Sequence, residues 1–295
     1  MRRAFLIAVP YLWLLALFLV PFAIVLRISF SDIALAIPPY TPTFDGSEGV
    51  LAGLRDLVGQ FDFENYAFLT QDDLYWKAYL SSLQIAGLST LFTLLVGFPI
   101  AYGMARAPEE WRATLMMLII LPFWTSFLIR VYAWIGILGT EGYLNQVLLA
   151  VGVIDAPLTI LNTQVAVYIG IVYTYLPFMI LPLYANMEKL DISLLEAASD
   201  LGAKPITTFL TVTLPMTMPG IVAGSLLVFI PATGEFVIPD LLGGGNVLMI
   251  GRVLYNEFNA NTDWPVASAV AIVLLLLLVL PMMLYQHIQS RESGS

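Results

Sequence analysis

Two groups of residues in this 295-residue sequence have types and spacing that can do chemistry. The first is a set of charges in apolar surroundings: Glu235, with Asp240 just beyond it, and Arg130. Charges inside a membrane-spanning stretch are costly and usually functional. Pro231, Gly234 and Pro239 surround Glu235, so an interrupted helix is expected there. Such a break frees carbonyls, which are tolerated where they line a cavity. A carboxylate beside free carbonyls suits an ammonium group. Trp124, Tyr132, Trp134, Tyr173 and Tyr175 could add cation–π contacts of about 0.5–2 kcal/mol each. Membrane aromatics more often pack or form interface belts. A second reading stays open beside the first: Arg130 pairs with Glu235 or Asp240, and Glu235 is structural.

The second group is a polar loop between apolar stretches, DISLLEAASDLGAKP at residues 191–205. Ser193 and Glu196 have the spacing of a reciprocal capping box. A short helix through Leu201 follows, with Ala197 and Ala198 as strong helix formers. Gly202 suits the left-handed position that ends a helix, and Pro205 suits the first turn of the next one. The expectation is helix, sharp glycine turn, helix.

Other chemistries lack their residues. There is no cysteine, hence no disulfide and no thiolate metal site or nucleophile. The triple glycine at 243–245 is not followed by the Lys-Ser/Thr of a phosphate loop. His287 is the single histidine and reads as a solvated interfacial residue. No metal site, cofactor or catalytic group is expected in this chain, and a membrane hydrolase is unsupported.

The elements that must position these residues are membrane spans. Hydrophobic residues make up 59% of the chain and charged ones 11%, against roughly 25% charged in soluble domains. A spanning helix needs about 20 mostly apolar residues. Six stretches qualify, at about 4–28, 78–104, 113–138, 163–186, 217–239 and 265–286, within one all-α polytopic membrane domain covering 1–295. The first is too long for the apolar core of a signal peptide, about 7–15 residues, and reads as an uncleaved helix. Glu235 then lies roughly 27 Å along its span at 1.5 Å per residue. Cytoplasmic segments are enriched in Lys and Arg. With the N-terminus inside, the inner segments hold Arg2, Arg3, Arg106, Arg112, Lys189, Lys204 and Arg291. The outer ones hold only Arg55, Lys77 and Arg252, so both termini are expected in the cytoplasm. The chain's net charge is −9, and the outer loop 29–77 carries Asp32, Asp45, Glu48, Asp56, Asp62, Glu64, Asp72 and Asp73 against Arg55 and Lys77. A translocated loop simply tolerates acids; the sharper reading is attraction of a cationic solute or docking of a delivery protein. Loop 187–216 is cytoplasmic in this topology.

The spacing from Glu196-Ala197-Ala198 through Gly202 to Val212-Thr213-Leu214-Pro215 resembles the EAA signature of ABC importer permeases, with Val212 where that family usually has isoleucine. In that resemblance the loop is a coupling helix seated in a groove of an ATPase subunit, and Glu196, Ala197, Ala198, Gly202, Leu214 and Pro215 are the coupling residues. The resemblance extends to AIPPY at 36–40, LPFWTSFLIRVYAW at 121–134, PFM at 177–179, GEFVIPDLLGG at 234–244 and DWPVA at 263–267. These look like the polyamine permeases, closest to the putrescine type. The resemblance implies the type I ABC importer permease (MetI-like) fold, a second permease subunit, two ATPase subunits and a periplasmic polyamine-binding protein. It implies the bacterial inner membrane, with ATP and Mg used by the ATPase partner rather than by this chain. The substrate path would hold Glu235, Asp240, Arg130, Trp134, Tyr173 and Tyr175. Putrescine, spermidine and related diamines stay open, as does an ATP-independent channel or secondary transporter for organic cations.

Overall fold

The computed structural model describes residues 2–43, 59 and 61–292. Asp45, Glu48, Arg55 and Asp56 of the acidic loop lie outside the described residues, as do residues 293–295 and the side chains of Arg2, Arg3, His287 and Arg291. The regular elements of the described residues are helices and one short hairpin, β1 (Asp32–Ile33) against β2 (Tyr40–Thr41). Four helices are long and apolar enough to cross a membrane: Ala8–Ile28, Asp73–Arg106, Gln164–Met187 and Pro205–Thr233. The helix pair Glu109–Trp124 and Phe127–Ala150 meets the same test together but is bent by 90°. A shorter apolar helix, Trp264–Val279, opens the helix that runs to Glu292.

Two expected spans differ in detail. The stretch 113–138 is not one helix: α4 (Glu109–Ile120) passes into a tight turn at Leu121–Trp124, and α5 (Phe127–Leu138) starts anew. Pro122 has no N–H, and its ring crowds the carbonyl four residues back. The Thr125 hydroxyl and amide both donate to the Pro122 carbonyl and close the turn. The stretch 217–239 ends early, because the helix stops at Thr233 and Gly234 follows in a non-helical conformation.

The chain divides into two units, residues 1–79 with 250–295 and residues 80–249. In the first, α1 (Arg2–Ile28), α2 (Glu64–Gln71) and α12 (Ile250–Asn259) pack on α13 (Trp264–Glu292). Tyr75 donates to Glu257 Oε1 at 3.0 Å, and Tyr79 donates to the Val270 carbonyl at 2.8 Å. Arg27 donates to the Pro42 carbonyl at 2.9 Å and ties the hairpin to the end of α1. In the second unit, α7 (Gln164–Met187) lies along α10 (Leu214–Thr233) as its main packing partner. The approach is close because Gly220 faces the backbone of Pro182 and Leu183 and the Asn186 Cβ. The short α11 (Val237–Leu242) packs on α5 and α7.

Candidate functional site

The loop after α7 forms the expected turn. Residues Ser193–Asp200 make α8, and Pro205 opens α9 (Pro205–Thr208) at its first position. Between them Gly202 has φ +80°, a left-handed conformation that glycine adopts without penalty. The amide of Gly202 donates to the Ser199 carbonyl at 2.8 Å, and that of Ala203 to the Ala198 carbonyl at 3.0 Å.

The capping box does not form. Ser193 is already helical, and the helix has no side-chain cap from Ser193 or Glu196. Instead Asp191 Oδ1 accepts the Ser193 amide at 2.9 Å. An aspartate two residues ahead satisfies the same donor by a local turn, so Asp191 displaces Ser193 from the role. The Ser193 amide and hydroxyl hold the Asp191 carboxyl below its ordinary range.

Around the turn Glu196 and Ala197 are exposed, and Ala198 is half-buried. So are large apolar side chains: Leu201 is 89% and Ile206 75% exposed, with Ile192 and Leu194 also uncovered. A Cβ on Gly202 would meet nothing within 4 Å. Near the loop's start, Arg112 and Glu188 pair at 3.7 Å, and Tyr184 donates to Glu188 Oε1 at 2.9 Å. A pair this exposed contributes about 0–1 kcal/mol.

Beyond α9 the chain continues without a gap through Phe209–Thr213, a single π-helical turn, into α10. Residues 205–233 thus form one rod of roughly 43 Å at 1.5 Å per residue. A bilayer core is about 30 Å thick, so the rod is longer than a spanning helix needs to be.

At the other end of the rod lies Glu235, 8% exposed. Its Oε2 accepts the Tyr175 hydroxyl at 2.6 Å. Its Oε1 accepts the amides of Phe236 and Val237 at 3.1 and 3.0 Å. The carboxylate therefore caps α11 and fastens the break to α7. A helix N-terminus favours negative charge there, and a hydrogen bond to an ionised acceptor is stronger than a neutral one. The expected interruption at Gly234–Glu235 is present.

The alternative pairing of Arg130 with Glu235 or Asp240 is not seen among the described residues. Arg130 lies within 4.0 Å of no carboxylate among the described residues, and Nε and Nη1 are covered without an acceptor. The guanidinium sits over the Phe123 ring at 5.7 Å. Asp240 is exposed on α11. Trp134 and Tyr173 meet edge to face at 5.4 Å. They help line an open apolar groove of about 890 Å³ with Phe92, Val96, Tyr168 and Leu176. The structure thus brings Tyr175 and Glu235 together and puts Trp134 and Tyr173 on a separate, apolar wall.

Sequence reasoning missed Asp191, the Arg112–Glu188 pair and the π-turn. Pro215 was the available signal for the last, since a proline early in a helix disturbs the preceding turn.

Residues 88–294 match the family described as binding-protein-dependent transport system inner membrane components. The chain belongs to that family. It is 43% identical over 279 residues to the spermidine/putrescine transport system permease protein PotB of Haemophilus influenzae, covering 95% of this chain and 91% of that protein. It is 47% identical over 225 residues to the PotB protein of Escherichia coli, covering 76% and 82%. Among solved structures it resembles a chain of a bacterial ABC transporter involved in alginate import, with a TM-score of 0.69 at 16% identity over 98% of this chain and 95% of that one. The MetNI methionine ABC transporter matches with a TM-score of 0.53 at 18% identity, over 73% and 94%. The fold is that of an ABC importer permease, an all-α multi-pass protein of the bacterial inner membrane. As inner membrane components of such systems, these permeases are transport subunits, and ATP hydrolysis resides in a separate ATPase.

Proposed function

We propose that this inner membrane component forms, with a second permease subunit, the membrane pathway for polyamine uptake. Its cargo is putrescine or spermidine, the solutes named for the relatives at 43–48% identity. The observation that carries the mechanism is the continuous rod from the Gly202 turn to the Glu235 break.

The exposed turn docks on an ATPase subunit. Leu201, Ile206 and Ile192 supply apolar area, while Ala197 and Ala198 allow close approach. Glu196 contributes a charge at the rim, and Leu214 and Pro215 begin the helix that carries the motion onward. Two such ATPase subunits bind ATP and Mg, and a periplasmic polyamine-binding protein delivers the solute. The excess of Lys and Arg in the segments that include 189 and 204 supports a cytoplasmic turn and cytoplasmic termini.

At the far end Glu235 presents the carboxylate of the substrate path, with Tyr175 as its partner. An ammonium group gains the carboxylate by displacing the Tyr175 hydroxyl. Asp240 extends the acidic surface, and Trp134 and Tyr173 offer rings to the methylene chain. Arg130 repels a cation and so closes the path on its side.

The test is reconstitution in proteoliposomes with the second permease, the ATPase and the binding protein. Uptake of labelled putrescine or spermidine should require ATP and every component; uptake by this chain alone would sink the proposal. Glu235→Gln should retain the amide caps yet lose uptake at least tenfold with normal assembly. Unchanged uptake would remove Glu235 from the path.

A further inference from the structure

The π-turn at Phe209–Thr213 is the most unusual backbone feature of the rod. Helical residues of this kind are well under 1% of those in proteins, and single π-turns concentrate at functional sites. This one has a local cause. In an unbroken α-helix the nitrogen of Pro215 would face the Thr211 carbonyl, and the proline ring would collide with it. One extra residue in the turn relieves the collision, and Leu214 donates to the Phe209 carbonyl, five residues back.

The surroundings keep both registers open. The Thr211 hydroxyl donates to the Thr207 carbonyl at 2.8 Å. The Thr217 hydroxyl donates to the Thr213 carbonyl at 2.8 Å and to that of Leu214 at 3.1 Å. Rotatable hydroxyls thus cover backbone acceptors on both sides of the turn while the main-chain bonds change partner. Leu210 is exposed, and the partly exposed Phe209 meets Phe98 edge to face at 5.5 Å, so the outer side of the turn is held by a ring contact. From Thr217 onward the helix is fixed: Thr217 is fully buried, and Gly220 rests on the α7 backbone. A π-turn with an exposed Leu210 therefore meets a buried, closely packed helix at residues 209–213.

We propose that this π-turn is the joint that converts displacement of the Gly202 turn into movement of α10, with Pro215 and Thr217 as positioning residues. The proposal rests on the permease reading above. Passing from π to α register removes one residue from the turn. That rotates the Gly202 side relative to α10 by roughly 100° and moves it about 1.5 Å along the axis.

The chain has no cysteine, so spin-label pairs can be introduced without background. One pair, Ser199→Cys with Met218→Cys, spans the joint; another, Met218→Cys with Leu227→Cys, lies within α10. In the complete transporter, ATP should change the first distance and leave the second alone. Pro215→Ala, which restores the missing N–H, should abolish that change and lower solute transported per ATP hydrolysed at least tenfold. Thr217→Val should lower the same ratio, and Thr217→Ser should restore it. An ATP response confined to the α10 pair, or full coupling in Pro215→Ala, overturns the joint. A shift of the first distance by Pro215→Ala in this chain alone, in nanodiscs, supports the joint without reference to transport. No shift there overturns it even if ATP-driven uptake is intact. Absence of ATP-driven uptake in the parent transporter counts against the permease reading instead.

Discussion

Tyr175 on α7 and Glu235 at the end of α10 are joined by a 2.6 Å hydrogen bond that is buried and crosses between two helices. No other described side chain donates to that carboxylate; its other oxygen is held by backbone amides. The bond therefore decides how firmly the helix break is attached to α7.

Removing the hydroxyl should be measurable as stability. Tyr175→Phe keeps the ring and its packing against Phe178, so the loss is the hydrogen bond alone. Bonds to charged groups contribute about 1.5–3 kcal/mol. Unfolding in detergent should show a loss in that range, and Tyr175→Phe combined with Glu235→Gln should cost less than the sum of the two. Strict additivity would show that the contact carries no coupling energy.

The close approach of α7 and α10 yields a second expectation. A Cβ at position 220 would lie 2.9 Å from the Asn186 Cβ, 3.1 Å from the Pro182 carbonyl oxygen and 3.3 Å from the Leu183 Cα. None of these is the end of a flexible side chain. Gly220→Ala should destabilise by about 1–3 kcal/mol, as overpacking does. Gly87→Ala meets nothing within 4 Å and should be neutral, or stabilising by up to about 1 kcal/mol through helix propensity. Equal thermal shifts for the two would contradict the packing argument.

Asp263 provides a pH dependence. Its Oδ1 accepts the Val266 amide at 3.0 Å and caps the helix that follows. Desolvation pushes its pKa above the ordinary carboxylate value, and the charge of Glu257 adds to this, while the Val266 bond opposes it. The folded chain thus keeps the proton to higher pH than the unfolded chain does. Stability then falls as pH rises from about 3.9 through the raised native value, and returns on acidification. Asp263→Asn preserves the cap and removes the charge. Melting of the variant should lose this segment of the pH profile and be at least as stable as the parent at pH 7.5. A variant less stable than the parent at pH 7.5 would show that the charge is favourable.

The glycine turn, the proline start of α9 and the break at Glu235 were legible because each depends on residues within a few positions. Gly202 has few alternatives at φ +80°, and Gly234 with Pro231 cannot extend α10 unaided. The Ser193 box failed because Asp191 competes for the same amide at shorter sequence range. The pairing of Arg130 with Glu235 or Asp240 stays open in the sequence for a different reason. Charges in two neighbouring spans can suggest a pair, but whether they meet depends on the bend between Trp124 and Phe127. The unbroken reading of 113–138 failed at that bend, since hydropathy averages over a proline that the backbone cannot ignore.

The last expectation separates strain from docking at the Gly202 turn. With φ +80° and open space around it, position 202 penalises any side chain by backbone conformation alone, about 1–2 kcal/mol. Gly202→Ala adds that strain and only one methyl group. Gly202→Asp adds similar strain, eased because Asp tolerates the left-handed region better than most residues, and places a charge among Leu201, Ile206 and Ile192. If the turn served the fold only, Asp would be the milder variant. If the turn seats in an apolar groove of the ATPase, Asp is the harsher one. Co-purification of the ATPase and ATP-driven uptake should both fall at least tenfold in Gly202→Asp, with the variant still inserted in the membrane. Gly202→Ala should lose less. Equal or reversed effects would assign the turn to folding and detach it from the ATPase.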